Sequence, residues 1–168
     1  MAFRTRGVLI SGIAVAFAAG VGIPLAVANE STVAAAADLP PYAVEDYSYP
    51  GAAQILATQG IALKKGNGRI LLAECDASSG QIKVHTVRDS SSGRKGVYCF
   101  QATAKTGYVT LELPRVFALE TADHPISAQL TANGSTTTVE VAKGGFEGVG
   151  EGNEGGPQSV LLEIRVTG

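Results

Sequence analysis

The segment SAQLTA (127–132), NG (133–134), STTTVEVA (135–142) carries the sharpest turn signal in the chain. Asn133-Gly134 supplies two adjacent residues that tolerate a left-handed backbone. A two-residue hairpin turn needs both, because only that geometry matches the twist of its strands. The flanking runs, 127–132 and 136–142, alternate in polarity, so this stretch predicts a β-hairpin. The same period of two recurs on either side. Residues 61–63 and 69–75 flank a turn at 65–68. Residues 81–87 put Ile82, Val84 and Thr86 on one face and Lys83 and His85 on the other. Residues 97–103 and 108–113 flank Lys105-Thr106-Gly107 and predict a second hairpin, ended by Pro114. Residues 115–119 predict a short strand. The last run, 159–166, places Val160, Leu162, Ile164 and Val166 on one side.

One segment breaks the pattern. Pro50 suits a first helical turn, Ala52, Ala53, Ile55, Leu56 and Ala57 form an apolar face, and Gly60 suits the cap. Short strands separated by turns, with one early helix, predict a mostly β domain. We expect a single β-sandwich or small barrel of about seven or eight strands, with one short amino-terminal helix.

The first 28 residues read as an export signal. Arg4 and Arg6 give a basic start, residues 8–25 are uncharged and mostly apolar, and Ala26-Val27-Ala28 offers the small residues a signal peptidase accepts. Pro24 and three glycines weaken the run as a membrane helix. Ala35-Ala36-Ala37 is a second possible cleavage site. Residues 29–48 read as a flexible spacer, with an alanine run and Pro40-Pro41. Three tyrosines, Tyr42, Tyr47 and Tyr49, sit at its end. They are expected to dock on the domain, which spans 49–168, rather than to form a partner patch.

Composition narrows the partners. Removing residues 1–28 takes out two of the 13 basic residues and no acid, leaving 11 against 15, a net charge of −4. That balance disfavours nucleic acid and, after signal cleavage, membrane surfaces. Tryptophan is absent. Cys75 and Cys99 are the only cysteines, and in an exported chain an even count reads as a disulfide. The bond closes a loop of about 25 residues and is worth on the order of 3 kcal/mol. The alternative is a catalytic thiol served by His85 or His124.

The stretch from Tyr49-Pro50-Gly51 through Leu63-Lys64-Lys65-Gly66-Asn67-Gly68, Ile70-Leu71-Leu72-Ala73-Glu74-Cys75-Asp76, Cys99-Phe100 and Gly107-Tyr108-Val109-Thr110-Leu111-Glu112-Leu113-Pro114 resembles a group of small exported actinobacterial proteins of unknown function. The resemblance covers roughly 49–168. It implies an exported single domain with the two cysteines paired, and it carries over no catalytic or binding residue.

No constellation with a defined catalytic spacing is present. Gly150-Glu151-Gly152-Asn153-Glu154-Gly155 matches G-x-G-x-x-G, but Pro157 and a strand follow where a phosphate-binding helix is required, and the two acids repel phosphate. Residues 144–156, with Glu147, Glu151, Asn153 and Glu154, lack the register of a calcium loop and are expected to be a solvated surface loop. His85 and His124 are too far apart in sequence for a ligand pair. Asp76 and Glu112 are acids without a partner spacing. Lys64-Lys65 and Arg94-Lys95 read as solubilising. Asn133-Gly134-Ser135 is formally a glycosylation sequon but is explained by the turn. We therefore expect a secreted, non-catalytic domain with no metal or cofactor, acting by surface contacts with protein or a cell-wall polymer. The alternatives are a hydrolase inhibitor using the loop 89–96, or a hydrolase whose site assembles only in three dimensions. Amino-terminal sequencing of secreted material is expected to start near Asn29. A product retaining Met1 would mean an uncleaved anchor.

Overall fold

The computed structural model describes residues 47–76 and 80–168. The segments read above as export signal and spacer, up to residue 46, lie outside the described residues, as do residues 77–79. Among the described residues there are ten strands and one α-helix: α1 (Ala52–Gln59), β1 (Ala62–Gly66), β2 (Ile70–Ala73), β3 (Gln81–Thr86), β4 (Val97–Ala102), β5 (Gly107–Pro114), β6 (Val116–Thr121), β7 (Ile126–Ala132), β8 (Ser135–Val141), β9 (Phe146–Gly148) and β10 (Val160–Val166). They form two five-stranded antiparallel sheets, β1-β5-β10-β7-β8 and β2-β4-β3-β6-β9. The fold is a mostly β sandwich with one short helix. The strand number exceeds the seven or eight expected, and β9, in the glycine-rich segment, is the strand no apolar period announces.

The core is the single layer between the sheets. Leu111, Leu113, Leu161, Ile164 and Ile126 from the first sheet meet Ile82, Val84, Tyr98, Phe100 and Leu119 from the second. The alternation in β3 is as expected, with Ile82, Val84 and Thr86 buried and Lys83 and His85 turned outward. The β7–β8 hairpin is also present. Asn133 (φ 51°) and Gly134 (φ 77°) are both left-handed, and Ala132 sits opposite Ser135.

Two expectations are corrected. The run 97–103 does not form a hairpin with 108–113. β4 pairs with β2 and β3, whereas β5 pairs with β1 and β10. Tyr98, Phe100, Val109 and Leu111 all belong to the buried core, and the turn at 105–107 carries the chain from one sheet to the other. A turn signal reports a reversal and does not say whether the strands pair or stack. In β10 a bulge between Leu161 and Glu163, against both neighbours, resets the faces. Leu161, Ile164 and Val166 are buried, while Val160 and Leu162 are only half-buried.

The helix ends as expected at Gly60, which is left-handed (φ 64°) and donates its N–H to the Leu56 carbonyl. A Cβ there would stand 2.5 Å from the Ser92 carbonyl oxygen, so the loop 89–96 packs directly on the helix cap. No helix among the described residues is long and apolar enough to cross a membrane.

Cys75 and Cys99 form the disulfide, with Cα atoms 5.1 Å apart. It joins the end of β2 to its neighbour β4 within one sheet, beside the pair Ala73–Cys99. Replacing both residues by serine is expected to cost roughly 3 kcal/mol, on the order of 10 °C in melting temperature. Unreduced wild-type protein should take up no alkylating label, as mass measurement will show.

Candidate functional site

The outward face of the second sheet gathers its chemistry at β3, β6 and β9. Alternation turns Lys83 and His85 out of the core. Register places Glu120 opposite Lys83, and Phe146 opposite Glu120 on the other side. A register shift between His85 and Thr86 accompanies Phe117, which reaches the same surface. The His85 ring lies 6.0 Å from Phe117 and 5.9 Å from Phe146, centroid to centroid. Phe146 is 60% exposed, an unusual position for a phenylalanine on a sheet face.

Polar groups run through this aromatic frame. Lys83 Nζ donates to Glu120 Oε1 at 3.0 Å. His85 Nε2 stands 3.4 Å from Glu120 Oε2, within ion-pair range. The contact lacks hydrogen-bond alignment, so Nε2 is a buried polar atom with no hydrogen-bond partner among the described residues. The Lys83 hydrogen bond holds the Glu120 carboxyl below its ordinary range. Burial opposes this, while the Lys83 charge and His85 reinforce it.

The segment 144–156 lies at the surface, as expected, with Val149 its one buried residue, and backbone bonds tie it to this face. Thr121 N–H donates to the Gly145 carbonyl at 3.1 Å, and Val149 N–H donates to the Phe117 carbonyl at 2.9 Å. A short 3-10 turn spans Gly150–Gly152. A Cβ at Gly152 would stand 1.9 Å from the Phe117 carbonyl oxygen, and one at Gly156 the same distance from that of Gly150. The glycines thus permit close backbone approach. Arg115 clamps the turn through two 2.6 Å bonds to Glu151. Glu151 is therefore committed to a cation within the chain, and among the described residues no three His, Cys, Asp or Glu side chains gather as a metal site. Between this segment and β8 lies a cleft of about 330 Å³, lined by Leu130, Thr137, Val139, Val149 and Pro157 among others.

The other sequence candidates disperse. Cys75 and Cys99 are bonded, so neither is a thiol nucleophile. Glu112 pairs with Lys64 at 2.9 Å on the first sheet. His124 Nδ1 lies 3.0 Å from the Gly168 carbonyl oxygen. The Asp76 backbone N–H donates to the Gln81 side chain. Tyr49 docks as expected, accepting the Leu72 N–H at 2.7 Å on its hydroxyl, while Tyr47 is half-exposed. His85 alone meets a carboxylate, and it is Glu120, which no local pattern singled out. Phe146, a lone aromatic in a glycine run, was the one readable clue to the site.

The loop 89–96 is tightly organised. Asp89 accepts from the Ser91 N–H (3.0 Å), the Ser91 hydroxyl (2.6 Å) and the Ser92 hydroxyl (2.9 Å), and its N–H donates to the Arg94 carbonyl.

No protein-family model matches the chain, and no curated protein does. Among solved structures, an antifungal protein from Streptomyces tendae Tu901, an averaged NMR structure, is similar. It is 18% identical over 58% of this chain and 98% of its own, with a TM-score of 0.41.

The Asp89 bonds set a pH dependence. The Ser91 hydroxyl, the Ser92 hydroxyl and the Ser91 amide, in that order, lower its carboxyl from 3.8 to about 2. A depressed acid stabilises the fold above its unfolded value, near pH 4, and that contribution fades as pH falls through about 2. Carboxyl NMR titration is expected to give a midpoint of about 2 for Asp89. Asp89→Asn should remove this acid dependence of loop order.

Proposed function

We infer that the chain is an exported, non-catalytic β-sandwich that acts by surface contact, and that its ligand is a cell-wall polymer held on the outer face of β3, β6 and β9. The exposed Phe146 beside His85, with the Lys83–Glu120 pair adjacent, carries this reading. A sugar ring stacks on an aromatic face while its hydroxyls bond to neighbouring charged side chains. The geometry of His85 argues against catalysis. Its carboxylate neighbour is already shared with Lys83, so Glu120 is poorly placed to orient the ring as a base. The acidic balance of the domain favours an uncharged or cationic polymer over a phosphate-rich one. The resemblance to exported actinobacterial proteins agrees with action outside the cell.

A second reading, inhibition of hydrolases, is supported by the loop 89–96. Its Asp89 bonds and its packing on Gly60 make it preorganised, which lowers the entropic cost of binding.

Co-sedimentation with purified peptidoglycan and with insoluble β-linked glucan separates the two. The wild type is expected to pellet with a wall polymer, and Phe146→Ala to weaken binding about tenfold, equivalent to about 1.4 kcal/mol. Because Phe146 is largely exposed, its melting temperature should hardly move. Retention unchanged in Phe146→Ala would place the contact elsewhere. If no polymer is retained but a hydrolase panel is inhibited, and Asp89→Ala abolishes that inhibition, the second reading replaces the first.

A further inference from the structure

The sandwich has four sheet edges, and three are guarded. Along β1 the incoming chain is laid down: Tyr49 N–H donates to the Lys64 carbonyl, Gly66 N–H donates to the Tyr47 carbonyl, and Ser48 bridges Lys65. β2 has four residues, and its Leu72 N–H is taken by the Tyr49 hydroxyl. β9 has three residues and runs into the turn at Gly150–Gly152.

The fourth edge, β8, differs. It is seven residues long, and its register with β7 runs unbroken from Ile126–Val141 to Ala132–Ser135. Its sequence, STTTVEV, holds no proline, no lysine and no bulge, the devices that keep edges from pairing. No strand among the described residues lies beyond it. Because Ala132 and Ser135 close a two-residue turn, they form a hydrogen-bonded pair. Ser135, Thr137, Val139 and Val141 therefore bond to β7, and Thr136, Thr138 and Glu140 direct their N–H and C=O groups outward.

We propose that β8 pairs antiparallel with β8 of a second copy of this chain, about a two-fold axis at Thr138. In that register Thr138 faces Thr138 of the second copy, and Thr136 faces its Glu140 on either side. Each of these three pairs exchanges two backbone bonds, so every outward group of the strand is satisfied. The carboxylate meets a hydroxyl, not a second carboxylate. Moving the axis to Glu140 sets the two acids opposite each other, and moving it to Thr136 leaves only residues 135–137 paired. The axis at Thr138 also brings Val139 of the second copy opposite Thr137. That valine then covers the mouth of the cleft lined by Leu130, Val149 and Pro157. The edge complements itself in sequence and bonding and sets no like charges opposite each other, which favours a second copy over an unrelated strand.

Sedimentation velocity on the purified secreted protein, starting near Asn29, over a range of concentrations tests this. A concentration-dependent doubling of mass is expected. Thr138→Lys places like charges on the axis, and Thr138→Pro removes an outward N–H without touching a β7 bond. Each is expected to weaken association at least about tenfold with thermal melts near that of wild type. A third variant tests the register. Facing Cα atoms in such a pair lie about 5.5 Å apart, within disulfide range. Oxidised Thr138→Cys should therefore form a covalent dimer, and Thr136→Cys, which faces Glu140, should not. A wild type that stays monomeric at every concentration overturns the proposal, as does a dimer that Thr138→Lys leaves intact. Equal cross-linking of the two cysteine variants overturns it too.

Discussion

Tyr98 and Phe100 stand on β4 with their rings between the sheets, and both are almost wholly removed from water. Each sheet has one strongly apolar face, and only closing one face on the other takes both out of solvent. This shared layer governs the rest of the molecule. It forces alternation on β3, so Lys83 and His85 must turn outward. It requires a bulge in β10, so that Leu161 and Ile164 can both point inward. The layer also tolerates polar atoms only where they are bonded. The Tyr98 hydroxyl donates to the Gln59 carbonyl at the end of the helix and accepts the Lys95 N–H at 3.0 Å. One buried side chain therefore fixes the helix end and the loop 89–96 to the same core, and burial raises its phenol above the ordinary value.

How much of this was readable depended on the distance over which each feature is decided. Asn133-Gly134 dictates a turn from two residues, and Gly60 dictates a cap from one, so both were legible. The outward position of His85 followed from its neighbours in the strand. Its partner Glu120 did not, because the β3–β6 pairing is a tertiary event. Lys105-Thr106-Gly107 declared a reversal, yet whether the strands pair or stack is settled by β2, β3, β1 and β10, far away in sequence. The alternation of 159–166 was equally clear and equally insufficient, since a bulge is invisible to a period-two pattern.

The glycine segment is the most instructive case. Glycine serves flexibility and close packing alike, and composition cannot separate the two. In residues 144–156 the second use dominates, because Gly152 and Gly156 lie where any side chain would collide with a carbonyl oxygen. Two of its acids consequently have different fates. Glu151 is drawn into the ion pair with Arg115, whose hydrogen bonds hold its carboxyl below the ordinary range against the opposing effect of burial. Glu147 pairs through its backbone with Leu119 in the β6–β9 ladder.

This segment touches both surfaces singled out above. Phe146 stands on the outer face of the second sheet, while Val149 and Gly150 line the cleft beneath β8. Neither surface keeps its shape if the segment shifts. Arg115 shows how it is held. Its backbone is left-handed (φ 61°), a conformation that costs a residue with a Cβ about 1 kcal/mol or more. Arg115 nevertheless occupies the junction between β5 and β6, and from there its guanidinium grips Glu151 at both oxygens, on partly buried side chains. A planar, two-point bond of this kind fixes orientation as well as distance. A lysine, with a single point charge, could fix distance alone. The strain at Arg115 is thus offset by a contact that orients the chain leading from Phe146 to Pro157, and so positions an exposed aromatic ring on one face and the wall of a cleft on the other.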